Sequence, residues 1–211
     1  GLGSGAFGTG LTTGTDNVAI GENAGDALTT GSDNTFVGDE AGGATTTGSN
    51  NVAIGSAAFD ANTTGASNTS VGKGSLSANS TGDSNTAVGK GALNDNTTAS
   101  NNTAVGADAL TANTTGANNV ALGKDALAAN TTANANVAIG HDTLAANTTG
   151  SGNTACGQNA LANVTTSSNN TALGRNAGDN LTDGHSNVCI GEESDADNAS
   201  RVGSVALGQG I

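Results

Sequence analysis

Asn102-Thr103-Ala104-Val105-Gly106-Ala107-Asp108-Ala109-Leu110-Thr111-Ala112-Asn113-Thr114-Thr115-Gly116-Ala117-Asn118 is one seventeen-residue unit, and the chain repeats it in register. Gly106 is its phase marker. The same glycine recurs at Gly21, Gly38, Gly55, Gly72, Gly89, Gly123, Gly140, Gly157, Gly174, Gly191 and Gly208 without a slip. One period before Gly21 stands Ser4, and the nearest glycine is Gly3, so the first coil reads as one residue longer. A fixed period of this kind marks a stacked array, because one repeat cannot bury its own apolar face. The fold expected is all-β, a parallel β-solenoid (β-roll or β-helix) of seventeen-residue coils. Residues 1–191 form the regular array. Residues 192–211 read as an irregular last coil, cap or junction, since Glu192-Glu193-Ser194-Asp195-Ala196-Asp197-Asn198 departs from the Leu and Thr pattern.

The strand lies just ahead of the marker. Three places before each glycine every residue is β-branched, as in Val18, Thr35, Thr103 and Val120. One place before it every residue is apolar, as in Ile20, Val37, Val105 and Leu122. Residues two apart share a face, and these types suit a pleated surface, so this pair is expected to face a core. The column between them holds Ala19, Ala53, Ala87, Ala104, Ala121, Ala138, Ala155 and Ala172, with Ala206 and the exceptions Phe36, Ser70 and Cys189. An outward column so restricted to small residues implies close approach of a second layer, and that layer is expected to be another copy of the chain. Four places before the glycine stand Asn17, Asn34, Asn51, Asn68, Asn85, Asn102, Asn119, Asn136, Asn153, Asn170 and Asn187, broken only by Ser204. Stacked asparagines can hydrogen-bond as a ladder.

The other half of the repeat carries Leu76, Leu93, Leu110, Leu127, Leu144 and Leu161 in one column, which is read as the plug of each coil. Phe59 shares it, and Gly25, Gly42 and Gly178 replace it. The Ala-Leu segment admits either a strand or a single helical turn. A Thr-Thr step follows and often runs into glycine, which is read as a corner.

Composition narrows the function classes. The chain has 211 residues, a net charge of −13, three Phe, and no Trp, Tyr, Met or Pro. A thick conventional core is therefore excluded. Nucleic acid and anionic membranes are not expected partners, and no run approaches the ~20 apolar residues of a membrane span. Gly1 and Ile211 fall inside a repeat, so the chain reads as a piece of something longer or a processed product. Cys156 and Cys189 occupy different columns about two coils apart, beyond disulfide reach, and read as small buried apolar residues. Asp108, Asp125 and Asp142 share one column and are read as a solvated rim rather than a metal site. Sequons such as Asn113-Thr114-Thr115 recur and are read as by-products of the repeat.

Asn-Thr-Ala-Val-Gly and Ser204-Val205-Ala206-Leu207-Gly208 resemble the Ser-Val-Ala-Ile-Gly strands in the head repeats of trimeric autotransporter adhesins. The longer pattern, through Ala-Leu and Asn-Thr-Thr-Gly, resembles arrays in bacteriophage tail-fibre shafts. The resemblance implies a left-handed parallel β-roll, three chains wound about one axis, and small residues facing that axis. The adhesin repeat is usually shorter, so the coil here must be larger or carry an extra corner.

The function expected is a structural fibre shaft or adhesin stalk, extracellular, on a cell surface or virion, self-associating through the Ala column, with a trimer implied by the resemblance. A host-surface receptor or glycan would be met by a segment not in this chain. An alternative is an ice- or surface-binding solenoid using stacked Thr64, Thr98, Thr115, Thr132, Thr149 and Thr166. A Thr face two residues wide would need alternate spacing, because adjacent strand residues point to opposite sides. No enzyme is expected: His141 and His185 lie in unrelated columns, and no cofactor or metal is implied.

Overall fold

A computed structural model of the chain describes residues 2–8, 10, 12–196 and 199–208. It is an all-β parallel β-solenoid of about eleven turns, with no helix among the described residues. Contacts divide it into two compact units, residues 1–102 and 103–211. The first holds β1 (Val18–Ile20), β2 (Thr35–Val37), β3 (Val52–Ile54), β4 (Thr69–Val71) and β5 (Thr86–Val88). The second holds β6 (Thr103–Val105), β7 (Val120–Leu122), β8 (Val137–Ile139), β9 (Thr154–Cys156), β10 (Thr171–Leu173), β11 (Val188–Ile190) and β12 (Val205–Leu207).

Within each unit, strands pair in parallel with the residue seventeen places on, as Val18 with Thr35 and Val120 with Val137. The period is thus the hydrogen-bond register. β12 keeps it with Val188 opposite Val205, inside the segment expected to be irregular; residues 197, 198 and 209–211 of that segment lie outside the described residues.

The phasing glycine is required twice over. Its φ is near +137° at Gly21 and Gly123, a region open to few residues other than glycine. A Cβ on Gly21 would also sit 2.3 Å from the carbonyl oxygen of Gly38. Coils stack here backbone on backbone.

The Ala-Leu segment is neither strand nor helix. It is a run of turns with left-handed residues at Asp108 and Leu110, φ +57° and +52°. Its N–H groups bond partly to the next coil, as Leu110 to Ala126 at 2.9 Å, and partly within the turn, as Asn113 to Leu110 at 3.2 Å. Leucine at positive φ costs about 1–2 kcal/mol. Burying that leucine returns about 1.5–3 kcal/mol, and Leu76, Leu93, Leu110, Leu127, Leu144 and Leu161 are all fully buried. Burial therefore holds the backbone in its strained region.

The strand faces the opposite way from the sequence expectation. The middle residue points inward and its two neighbours point outward. Ala53, Ala87, Ala104, Ala121, Ala138 and Ala155 are fully buried, and Ala19 and Ala172 nearly so. The coil lumen is already occupied by a Leu plug and two asparagine columns, so only a small side chain fits beside them. Phe36 shows the same constraint. It takes the alanine position where Gly25 and Gly42 replace the plug, and a Cβ on either would lie within 2.8 Å of its ring.

Candidate functional site

The outer columns form the surface left without a partner. In the first unit Val18, Ile20 and Ile54 are exposed; in the second, Val120, Leu122, Ile139, Leu173, Ile190, Val205 and Leu207 are. Leu173 is 50% exposed and Val205 66%. No strand position carries a charged residue. Rungs with Val three places before the glycine end in Ile or Leu, and rungs with Thr there end in Val, Cys or Leu. Each unit thus presents a two-column aliphatic and Thr stripe of uniform rise. Scattered exposed apolar residues are ordinary; a contiguous stripe marks an interaction surface. Cys156 lies on this stripe, half-buried, whereas Cys189 is buried in the interior, and both are free thiols. Burial pushes the Cys189 thiol up, with a smaller push from Asp195.

The alanines expected to mediate self-association cannot do so. Ala19, Ala53, Ala87, Ala104, Ala121, Ala138, Ala155 and Ala172 lie inside the coil, out of reach of another molecule.

The asparagines are stacked and bonded within each unit. In the first, Asn34, Asn51, Asn68, Asn85 and Asn102 each donate a backbone N–H to the Oδ1 of the asparagine one coil earlier, starting at Asn17, at 2.9–3.0 Å. In the second, Asn136, Asn153, Asn170 and Asn187 do the same from Asn119, and Ser204 closes the series. The side-chain amides reach carbonyls of the Thr-Thr-Gly corner, as Asn34 Nδ2 to Gly48 at 2.9 Å.

A second buried column went unread in the sequence. Asn62, Asn79 and Asn96 in the first unit, and Asn113, Asn130 and Asn147 in the second, have no exposed surface. Asn130 Nδ2 donates to Asn113 Oδ1 at 2.8 Å and to the Ala133 carbonyl at 3.2 Å. Its sequence signal was the Asn of the Asn-Thr-Thr step itself. The column ends where Val164 replaces asparagine, and Asn147 Oδ1 is left buried without a partner.

Thr64, Thr98, Thr115, Thr132, Thr149 and Thr166 are exposed in a column one residue wide. The preceding threonine serves the stack at Thr63, Thr114, Thr131 and Thr148, as Thr131 Oγ1 donating to the Thr148 carbonyl at 3.1 Å.

The rim carries ion pairs. Lys124 Nζ contacts Asp125 Oδ2, and this hydrogen bond, with help from Asp142 and Asp108, holds the ammonium above its usual range. His141 Nδ1 lies 2.9 Å from Asp142 Oδ2. Arg175 bridges to Glu192 and, at 3.1 Å, to Glu193. Asn23, Asp26, Glu40, Gly43 and Asp60 line a shallow acidic depression in the first unit, where burial raises the Asp60 carboxyl.

No family model, curated protein or solved structure matches this chain.

Proposed function

We propose that the chain is a structural, non-catalytic solenoid that self-associates through the outer columns of its strands, as the shaft or stalk of a fibre displayed outside a cell or on a virion. The carrying observation is the uncharged Val, Ile, Leu and Thr stripe, exposed on each unit beside an otherwise polar, acidic surface. The partner this stripe fits is a second copy of the chain. Its columns rise by one parallel-strand spacing per coil, ~4.8 Å, and a neighbour must have that same rise to meet every rung. Another copy supplies it without adjustment.

Burial on association would follow the ordinary hydrophobic coefficient of about 25 cal/mol per Å² before the cost of immobilising the partners. A stripe several rungs long supplies many such contacts. The resemblance to adhesin heads and tail-fibre shafts favours three copies. Inversion of the strand puts aliphatic side chains at the contact in place of the small residues that the resemblance implies.

Light scattering on the native protein tests it, with Leu122→Glu and Ile139→Glu introduced together as the disrupting variant. The native chain is expected to be a defined oligomer, and the variant a monomer with an unchanged circular dichroism spectrum. A monodisperse native monomer would remove the proposal. The threonine ladder gives a weaker case for surface binding, being one residue wide, and thermal hysteresis in the monomeric variant would revive it.

A further inference from the structure

We infer that this chain is built to fold where no N-linked glycan is transferred to it, because seven of its twelve Asn-x-Ser/Thr triplets have their asparagine sealed inside the coil.

Six triplets lie in the second buried column, beginning at Asn62, Asn79, Asn96, Asn113, Asn130 and Asn147. Asn-x-Thr is the acceptor signal for N-glycosylation and ordinarily implies a surface loop. Here all six asparagines have zero exposure. A seventh, Asn68-Thr69-Ser70, belongs to the first column, and Asn68 is 1% exposed. Five more triplets begin at Asn101, Asn163, Asn169, Asn180 and Asn198; Asn101, Asn163 and Asn169 are exposed, Asn180 is half-buried, and Asn198 lies outside the described residues.

The amide nitrogen that would carry the sugar is already engaged. Asn79 Nδ2 donates to Asn62 Oδ1 at 3.2 Å and to the Gly82 carbonyl at 3.1 Å. Asn147 Nδ2 donates to Asn130 Oδ1 at 3.2 Å and to the Gly150 carbonyl at 2.9 Å. An amide has two such hydrogens, and both are used. Glycosylation replaces one of them with a bulky, solvated group. No path leads that group out of the lumen, since the next coil lies one strand spacing away on either side. The modification and the ladder exclude one another.

Transfer acts on an extended chain, before coils close, so in a glycosylating compartment every triplet is an open acceptor. The repeat would then destroy its own core several times over. A surface or virion location therefore requires a route that bypasses the transfer step. This conclusion rests on the ladder alone and is independent of self-association.

The third residue of each triplet allows a clean test. Thr64, Thr81, Thr98, Thr115, Thr132 and Thr149 are exposed, so changing each to Val removes the acceptor signal and leaves the ladder intact. Ser70→Ala installs the residue that its column holds in most coils, Thr103→Val and Thr171→Val install the other residue of theirs, and Thr165→Val, Thr182→Val and Ser200→Ala complete the set of twelve. The full chain and this twelve-fold variant are directed into the secretory pathway of a eukaryotic host, and each is also made in a bacterial cytoplasm.

From the bacterium both should give the same β spectrum and protease resistance. From the secretory host the natural chain should carry glycans on the ladder asparagines by peptide mass and be protease-sensitive. The variant should be resistant, and the natural chain should become so when lipid-linked oligosaccharide synthesis is inhibited. That inhibitor arm needs no substitution, so misfolding of the variant would not obscure the answer. A natural chain secreted in folded form, with these asparagines either bare or glycosylated, would overturn the inference. So would a chain that stays protease-sensitive under the inhibitor, because the glycan would then not be the block.

Discussion

The inner and outer columns of each three-residue strand differ in a way that reverses the usual expectation for size. Ala104 and Ala121 point into the coil and are fully buried, while Val120 and Leu122, immediately beside Ala121, are exposed. Larger apolar side chains are ordinarily the inner ones. Here the lumen is filled, since Leu127, Asn119 and Asn130 already occupy it. What fits is decided by volume, and what remains outside is the apolar surface. The outer columns are a core face displaced to the exterior of the single chain, which is why they call for a partner.

The contrast can be broken most sharply with neighbouring substitutions. Ala121→Leu would force extra methylenes into a filled lumen and should cost about 1–3 kcal/mol or more. Val120→Ala, introduced into the monomeric background, should change stability by no more than about 0.5 kcal/mol, as at an ordinary surface position. Urea unfolding of each variant measures both. Equal effects at the two positions would mean that the columns are not divided into inner and outer sets.

A second effect, smaller and of opposite sign, is expected at the end of the inner asparagine column. Asn147 Oδ1 is buried without a donor because Val164 stands where the next asparagine would be. The first unit's own column shows a remedy: Asn62 Nδ2 lies 3.5 Å from Thr45 Oγ1, a hydroxyl closing that series. Val164→Thr is nearly isosteric and provides a hydroxyl donor for Asn147. A satisfied buried hydrogen bond is worth about 1 kcal/mol, and the relieved orphan adds to it. The variant should unfold at higher urea, whereas a buried valine-to-threonine change without a waiting acceptor would lower the midpoint.

Much of this architecture is legible in the repeat. Gly106 and its equivalents give the register, and the Asn17 series gives a ladder. The direction of the strand was not read, although its residues encode it. Asn119, Ala121 and Gly123 are alternate residues and share one side. A buried asparagine ladder therefore commits the alanine column to the interior with it. Phe36 carries the same message, since it replaces alanine where Gly25 and Gly42 empty the plug, and two columns that compensate in volume must meet. Composition obscured this, because both faces of the strand are apolar and the period-two pattern separates them without ranking them. The stripe was misassigned for the same reason. The second asparagine column was hidden inside a step that also reads as a polar corner.

The smallest effect concerns the last coil, where the plug column runs Leu161, Gly178, Asp195. Asp195 is half-buried and lies against Asp179, and it accepts a hydrogen bond from the Asn180 N–H at 3.3 Å. Burial is the main cause that raises its carboxyl above the ordinary value, and the Asp179 carboxylate adds to it, outweighing the backbone N–H groups that lower it. The folded chain thus holds this proton more tightly than the unfolded one. The sign follows: the protonated form favours folding, the contribution is complete below the ordinary carboxyl pKa of about 3.9, and it fades as pH rises through the raised value. Asp195→Asn cannot acquire the charge and should remove that loss. The melting temperature of the variant should exceed that of the natural chain near neutral pH and converge with it in acid. A gap that is constant across the titration would mean that the charge at Asp195 costs the fold nothing, and that the end of the inner column is as open to water as the outer columns are.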